Sequence, residues 1–94
     1  MVENMKKSFD RERIRLGARI RSFRKGCDLT QESMAEKLDV SVITLSRIEN
    51  GATVLDVCLL LKMSKILKVP IDVLVGRHQL MTEAKRRRRK KQAF

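Results

Sequence analysis

The chain has 94 residues, enough for one small domain with a single core and too few for two. Apolar residues make up 43% and aromatics only 3%, with no Trp or Tyr, which argues against a single-stranded nucleic-acid binder that stacks bases on aromatic side chains. Its 22 Lys and Arg against 11 Asp and Glu give a net charge of +11, a balance that points to a polyanionic partner.

That charge is unevenly spread. Seven positive charges form the unbroken run Lys85–Lys91, and the remainder carries only about +4. No apolar run approaches the roughly 18 residues of a membrane-crossing helix. The N-terminus lacks the apolar stretch of a secretory signal. These features predict a soluble cytoplasmic protein with no membrane partner. Cys27 and Cys58 stand far apart beside a single His, so no metal-ligand spacing exists. Cys58, inside the run Val57–Leu61, is expected to be a buried small hydrophobe, and Cys27 to sit in a loop. There is no Gly-rich phosphate loop, no Ser/His/Asp or Cys/His set and no carboxylate cluster. The expectation is a protein that is not an enzyme, with no catalytic residues, metal or cofactor.

In chain order, residues 1–9 read as a loose N-terminal arm. Ser8 or Asp10 can cap a first helix that runs to about Lys25, with Leu16, Ile20 and Phe23 on one face. Gly26 can supply a left-handed C-terminal cap. Thr30 is a good N-cap for a second helix, with Glu32 in its first turn and Met34, Ala35 and Leu38 inward. Asp39 ends it, since Asp tolerates left-handed backbone better than most residues. Ser41 can cap a third helix that ends near Asn50-Gly51, with Leu45 and Ile48 inward. Asp56 caps a fourth, Val57 to Leu67, whose expected core face is Val57, Leu60, Ser64 and Leu67. Pro70 starts a short fifth helix, Ile71 to about Val75, with Ile71 and Leu74 inward, and Gly76 stops it. Nothing alternates with period two, so no sheet is expected. The domain therefore spans 10–76, and 77–94 reads as a basic C-terminal tail, flexible without a partner, with a possible helical extension over Gln79–Ala84.

The stretch Leu29–Gly51 has two short helices around a tight turn, and its residues resemble a known family. Arg24, Leu29-Thr30-Gln31, Ala35, Leu38, Val40-Ser41, Ser46-Arg47-Ile48-Glu49-Asn50-Gly51, Leu60-Leu61 and Val69 together resemble the phage-repressor, Cro and Xre-like helix-turn-helix DNA-binding domains. The likeness covers roughly Leu16 to Gly76. It implies an all-α, compact five-helix, lambda-repressor-like domain. It implies that Ala35 is the small residue where the second and third helices cross, and that Arg24 and Glu49 form a structural ion pair. Three positions depart from the family pattern. Asp39 replaces a turn Gly, Lys68 replaces a Gly after the fourth helix, and Ala52-Thr53 stand where a basic residue often touches phosphate.

On this likeness the third helix enters the major groove, with Val42, Ile43, Thr44, Ser46 and Arg47 toward the bases. Arg47 can bond guanine bidentately, whereas Val42 and Ile43 can only pack on thymine methyl groups. The bland alternatives are a solvated Arg47, and Val42 and Ile43 facing a protein partner. Phosphate contacts are expected from Gln31, Ser41, the backbone near Asn50, Arg19 and Arg21. Apolar surplus on Leu59, Met63 and Ile66, with Val73, Val75, Leu80 and Met81, suggests a homodimer interface. A dimer would read a palindromic operator with half-sites about 34–36 Å apart.

The leading expectation is a sequence-specific regulator of transcription that binds double-stranded DNA and acts as a repressor. A second reading is an antitoxin-type protein-interaction module that also autoregulates its operon, and a third a nonspecific nucleic-acid coat driven by the tail. On DNA the tail would add counterion release, so that its deletion would weaken binding to every sequence and flatten the salt dependence.

Overall fold

The computed structural model describes residues 2–76. Five helices appear in order: α1 (Val2–Gly26), α2 (Gln31–Leu38), α3 (Val42–Glu49), α4 (Val57–Leu67) and α5 (Ile71–Leu74). No strand occurs among the described residues.

α1 starts at Val2, so residues 2–9 of the expected arm are helical. No Pro or Gly interrupts residues 2–16, and Glu, Met, Lys and Arg dominate them. Once the packed turns near Ile20 nucleate the helix, extending it through such residues is nearly free. Asp10 is therefore no cap. It lies inside the helix and pairs with Arg13, one turn on.

Three side chains cap the helix starts. Thr30 Oγ1 accepts the Ser33 N–H at 3.0 Å, Ser41 Oγ accepts the Thr44 N–H at 3.1 Å, and Asp56 Oδ1 accepts the Cys58 N–H at 2.7 Å. The ends of α1 to α4 share one device. A residue in left-handed backbone turns the chain, and the next N–H reaches back to a carbonyl of the last turn. Leu29, Val40, Ala52 and Val69 donate in this way to Arg24, Ala35, Arg47 and Ser64. The left-handed residues at these four ends are Asp28, Asp39, Gly51 and Lys68, and Gly76 after α5 also has positive φ. Gly26, the expected left-handed cap, is still helical, and Asp28 takes that role two residues later.

Every helix contributes to the core. Ile20, Met34, Ala35, Leu38, Leu45, Ile48, Met63, Leu67 and Leu74 are buried, with Leu16, Phe23, Leu59, Leu60 and Ile66 packed around them. Each large member stabilises the fold by about 1.5–3 kcal/mol relative to exposure. α4 turns inward a face rotated from the expected one: Leu67 is buried and Leu60 packs on the core as expected, and Ser64 is half-buried. Met63, predicted on a dimer stripe, is fully buried, and Leu59 and Ile66 beside it pack on the core. Val57, predicted inward, is 69% exposed, and Leu61 is exposed one turn on. The reason is that α4 is apolar over both candidate faces, so its period alone does not rank them. Cys58 is likewise exposed, as is Cys27. Leu80, Met81, the Gln79–Ala84 extension and the run Lys85–Lys91 lie outside the described residues.

Candidate nucleic-acid interface

α2 and α3 are joined by the turn Asp39-Val40-Ser41. Asp39 adopts φ 59° and ψ 44°, which reverses the chain, and Ser41 returns to extended backbone at φ −73° and ψ 155° before α3 begins. Val40 packs against the core beneath this turn. Ala35 is 1% exposed on α2, a helix that packs against both α3 and α4.

The inner side of α3 is fixed to α1 at three points. First, Gly17 of α1 leaves no room for a side chain. A Cβ there would collide with the Ile48 carbonyl oxygen and stand 2.6 Å from that of Glu49. Second, Gly51 at φ +71° sits on the α1 backbone, where a Cβ would meet Ile14 Cα at 2.6 Å. Third, Arg24 and Glu49 form a buried bidentate pair. Arg24 Nε donates to Glu49 Oε2 at 2.7 Å and Nη2 to Oε1 at 3.1 Å. Arg24 Nη1 also donates to the Leu29 carbonyl at 2.8 Å, which ties in the loop before α2. A planar guanidinium suits this arrangement, because its fork meets both carboxylate oxygens at once.

Neither glycine contact is anticipated by the sequence reading. The available signal is Gly17 itself. A Gly in an otherwise unbroken helix costs about 1 kcal/mol against Ala, and a packing role offsets that cost.

The outer side of α3 is open. Ile43 is 66% exposed, Val42 36%, and Thr44 and Arg47 are exposed, while Ser46 is half-buried at the edge. Ile43, Arg47 and Asn50 follow one another at i, i+4 and i+7, opposite buried Leu45 and Ile48. The Thr44 hydroxyl is engaged by the Ser41 Oγ at 2.8 Å.

The expected phosphate contacts fall in different places. Ser41 is exposed, but its hydroxyl already accepts the Thr44 N–H. The Asn50, Gly51 and Ala52 N–H groups bond the Ser46, Ile48 and Arg47 carbonyls, so the expected backbone donors near Asn50 are engaged internally and its exposed side chain remains. Gln31 is half-buried, and its Nε2 donates to Glu49 Oε1 at 3.0 Å. Arg21 is exposed on the edge of α1 next to the Gly17–Arg24 line that touches α3. Arg19 lies about 200° around the helix from Arg21. Its guanidinium packs over Gly76, where a Cβ would collide with it. Arg19 thus lies beside the residue that follows α5 and not beside α3. Of the expected dimer residues, Val73 and Val75 are half-buried.

Among the described residues no group of three or more His, Cys, Asp or Glu could hold a metal, and no helix is long and apolar enough to cross a membrane.

The geometry of a short helix, a tight turn and a second helix with an open outer face agrees with comparison to known proteins. The sequence model of the helix-turn-helix family matches residues 20–74, more than half of the chain. Among solved structures, the chain is similar to the clp gene regulator ClgR from Corynebacterium glutamicum. The two share 26% identity over 84% of this chain and 87% of that one, with a TM-score of 0.65. A search of curated proteins gives no match. The chain thus belongs to the helix-turn-helix DNA-binding family of the Cro/C1, Xre-like type.

Proposed function

We propose that this protein is a sequence-specific regulator of transcription that represses by occupying its operator as a homodimer. The observation that carries this reading is the contrast between the two sides of α3. Its inner side is locked to α1 and the core, while Val42, Ile43 and Arg47 are exposed and have no side-chain partner among the described residues. A rigidly mounted helix with an open leading face is what groove reading requires, since direct readout depends on sub-ångström placement of a few side chains. The likeness to ClgR, a gene regulator, supports the same function.

Within this reading Arg47 bonds guanine and Val42 and Ile43 pack on thymine methyl groups. Gln31, Ser41, the Asn50 side chain and Arg21 address phosphates. Two-fold symmetry would double a readout otherwise limited to a few base pairs. Val57 and Leu61, exposed one turn apart on α4, are the best nucleus for the dimer, and half-buried Val73 and Val75 add to it, whereas Leu59 and Ile66 lie on the opposite side of α4 against the core. The test is selection of bound duplexes from a random pool. A recovered palindrome, and transcription in vitro that falls when protein is added to a template bearing it, are the expected results. Recovery of no preferred sequence removes the proposal, and increased transcription removes the repressor part of it.

A further inference from the structure

Among the described residues, Glu49 and Arg24 are the most heavily hydrogen-bonded side chains, with three bonds each. The Glu49 side chain is 1% exposed, yet its two oxygens receive three donors from two other helices. Oε2 takes Arg24 Nε, and Oε1 takes both Arg24 Nη2 and Gln31 Nε2. Arg24 alone would satisfy a structural ion pair. The third bond, at 3.0 Å, reaches the first residue of α2, next to the surface that the DNA reading assigns to phosphate.

This third bond constrains the amide chemically. A carboxylate only accepts hydrogen bonds, and a Gln amide has an NH₂ end and a carbonyl end. Facing Glu49, only the NH₂ end is favourable, because the reverse would set two acceptors against each other. One N–H of Nε2 is thereby engaged, and no second intramolecular bond of that amide occurs among the described residues. Arg24 in turn fixes the carboxylate through two contacts and anchors Leu29, two residues before Gln31.

We propose that Glu49 is a positioning residue for DNA: its carboxylate holds the Gln31 amide in one orientation so that the remaining N–H meets a backbone phosphate. The proposal rests on the DNA-binding reading above and adds a role that Glu49 does not have as an ion-pair partner. Prior ordering of a long side chain removes the entropy that would otherwise be lost on binding. It also links α3, which reads bases, to the phosphate contact at the start of α2 through one buried group.

The experiment uses the full chain and the duplex recovered from the random pool. Single phosphates are replaced one at a time by neutral methylphosphonates, and binding is followed by fluorescence anisotropy. For the unaltered protein, one neutral phosphate in each half-site should weaken binding about tenfold, the scale of one lost charge-assisted hydrogen bond. Gln31→Ala should bind about tenfold more weakly and lose that sensitivity. Glu49→Gln, measured where circular dichroism shows it folded, should lose most of the same sensitivity. The double variant should bind no more weakly than the poorer single one.

A purely structural Glu49 would lower the melting temperature but leave the phosphate sensitivity intact, and the losses of the two variants would multiply. Either result overturns the proposal while leaving the DNA reading standing. If Glu49→Gln does not fold, nitrogen-15 relaxation of the Gln31 side-chain amide in the unaltered free protein decides. A rigid amide is expected, and one as mobile as a free surface glutamine overturns the proposal. If no duplex is preferred at all, the DNA reading falls first and this proposal falls with it.

Discussion

The backbone of Gly17 in α1 lies against the carbonyl oxygen of Ile48 in α3 with no space for even a methyl group between them. Two opposing effects therefore meet in Gly17→Ala. Helix propensity favours Ala by about 1 kcal/mol. Against that, the new Cβ would press on two backbone carbonyls, Ile48 and Glu49, which cannot rotate away as a side-chain tip could. Overpacking of this kind costs about 1–3 kcal/mol or more, so the net sign is destabilising. A fall in melting temperature of about 5–10 °C should appear by circular dichroism. A more stable variant would mean that the two helices are not in contact there.

The Arg24–Glu49 pair makes a different prediction. Removing either partner leaves the other charge buried, so Arg24→Ala or Glu49→Ala should lower stability by about 3–5 kcal/mol in urea unfolding. Replacing both with apolar residues of similar size, Arg24→Met with Glu49→Leu, should recover more than half of that loss. A double variant as unstable as the sum of the single ones would show that the pair itself, and not the stranded charge, carries the stability.

Lys68 ends α4 at φ 56° and ψ 40°, a conformation that a side chain with Cβ adopts only under strain. Left-handed backbone costs an ordinary residue about 1–2 kcal/mol, partly offset by the greater freedom of Gly in the unfolded chain. Lys68→Gly should thus raise stability by about 0.5–1 kcal/mol, and Asp39→Gly and Asp28→Gly should each give less, because Asp is better tolerated there. Thermal unfolding of the three variants orders them. Equal gains at all three positions would show that side-chain type is irrelevant at these turns.

Much of this architecture is legible in the sequence because it rests on local chemistry. Thr30, Ser41 and Asp56 announce helix starts, since their oxygens suit an N-cap and little else so placed. Ile20, Met34, Leu38, Leu45 and Leu74 are legible because each lies on the single apolar stripe of its helix. α4 is where this logic fails. Met63 and Val57 are both apolar, and only the positions of α2 and α5 decide that one is buried and the other exposed. Arg19 and Arg21 pose the same difficulty: charge says what they can bind, and only the packing of α1 says on which side. Gly26 and Asp28 differ for a subtler reason. The last turn of α1 extends one residue further than the glycine rule expects, because Cys27 can still bond the Phe23 and Arg24 carbonyls.

The corrected face of α4 separates stability from assembly. Met63→Ala empties a fully buried site and should cost about 2–5 kcal/mol. Leu61→Glu alters an exposed position and should leave melting within about 0.5 kcal/mol of the unaltered protein. If α4 carries the dimer contact, Leu61→Glu alone should shift the protein toward monomer in sedimentation at micromolar concentration. An unaltered protein that sediments as a monomer, or a Leu61→Glu dimer, would remove that interface.

The exposed head of α3 gives the most direct test of how DNA is read. Ile43 has no hydrogen-bonding atom in its side chain, and the Thr44 hydroxyl is engaged by Ser41, so this edge offers mainly apolar contacts until Arg47. Thymine differs from uracil only by the methyl group that such an edge can touch. Replacing thymine by uracil opposite Val42 and Ile43 should weaken binding by about 1 kcal/mol or somewhat more per contact. Ile43→Ala should weaken binding to the thymine duplex and reduce the thymine–uracil difference, whereas Arg47→Ala should weaken it and relax the preference for guanine. Because a lost methyl contact and a lost guanine bond act at different base pairs, the two variants should add when combined. Equal affinity for thymine and uracil duplexes would show that Val42 and Ile43 do not face the bases, and the reading edge would then have to be sought elsewhere on α3.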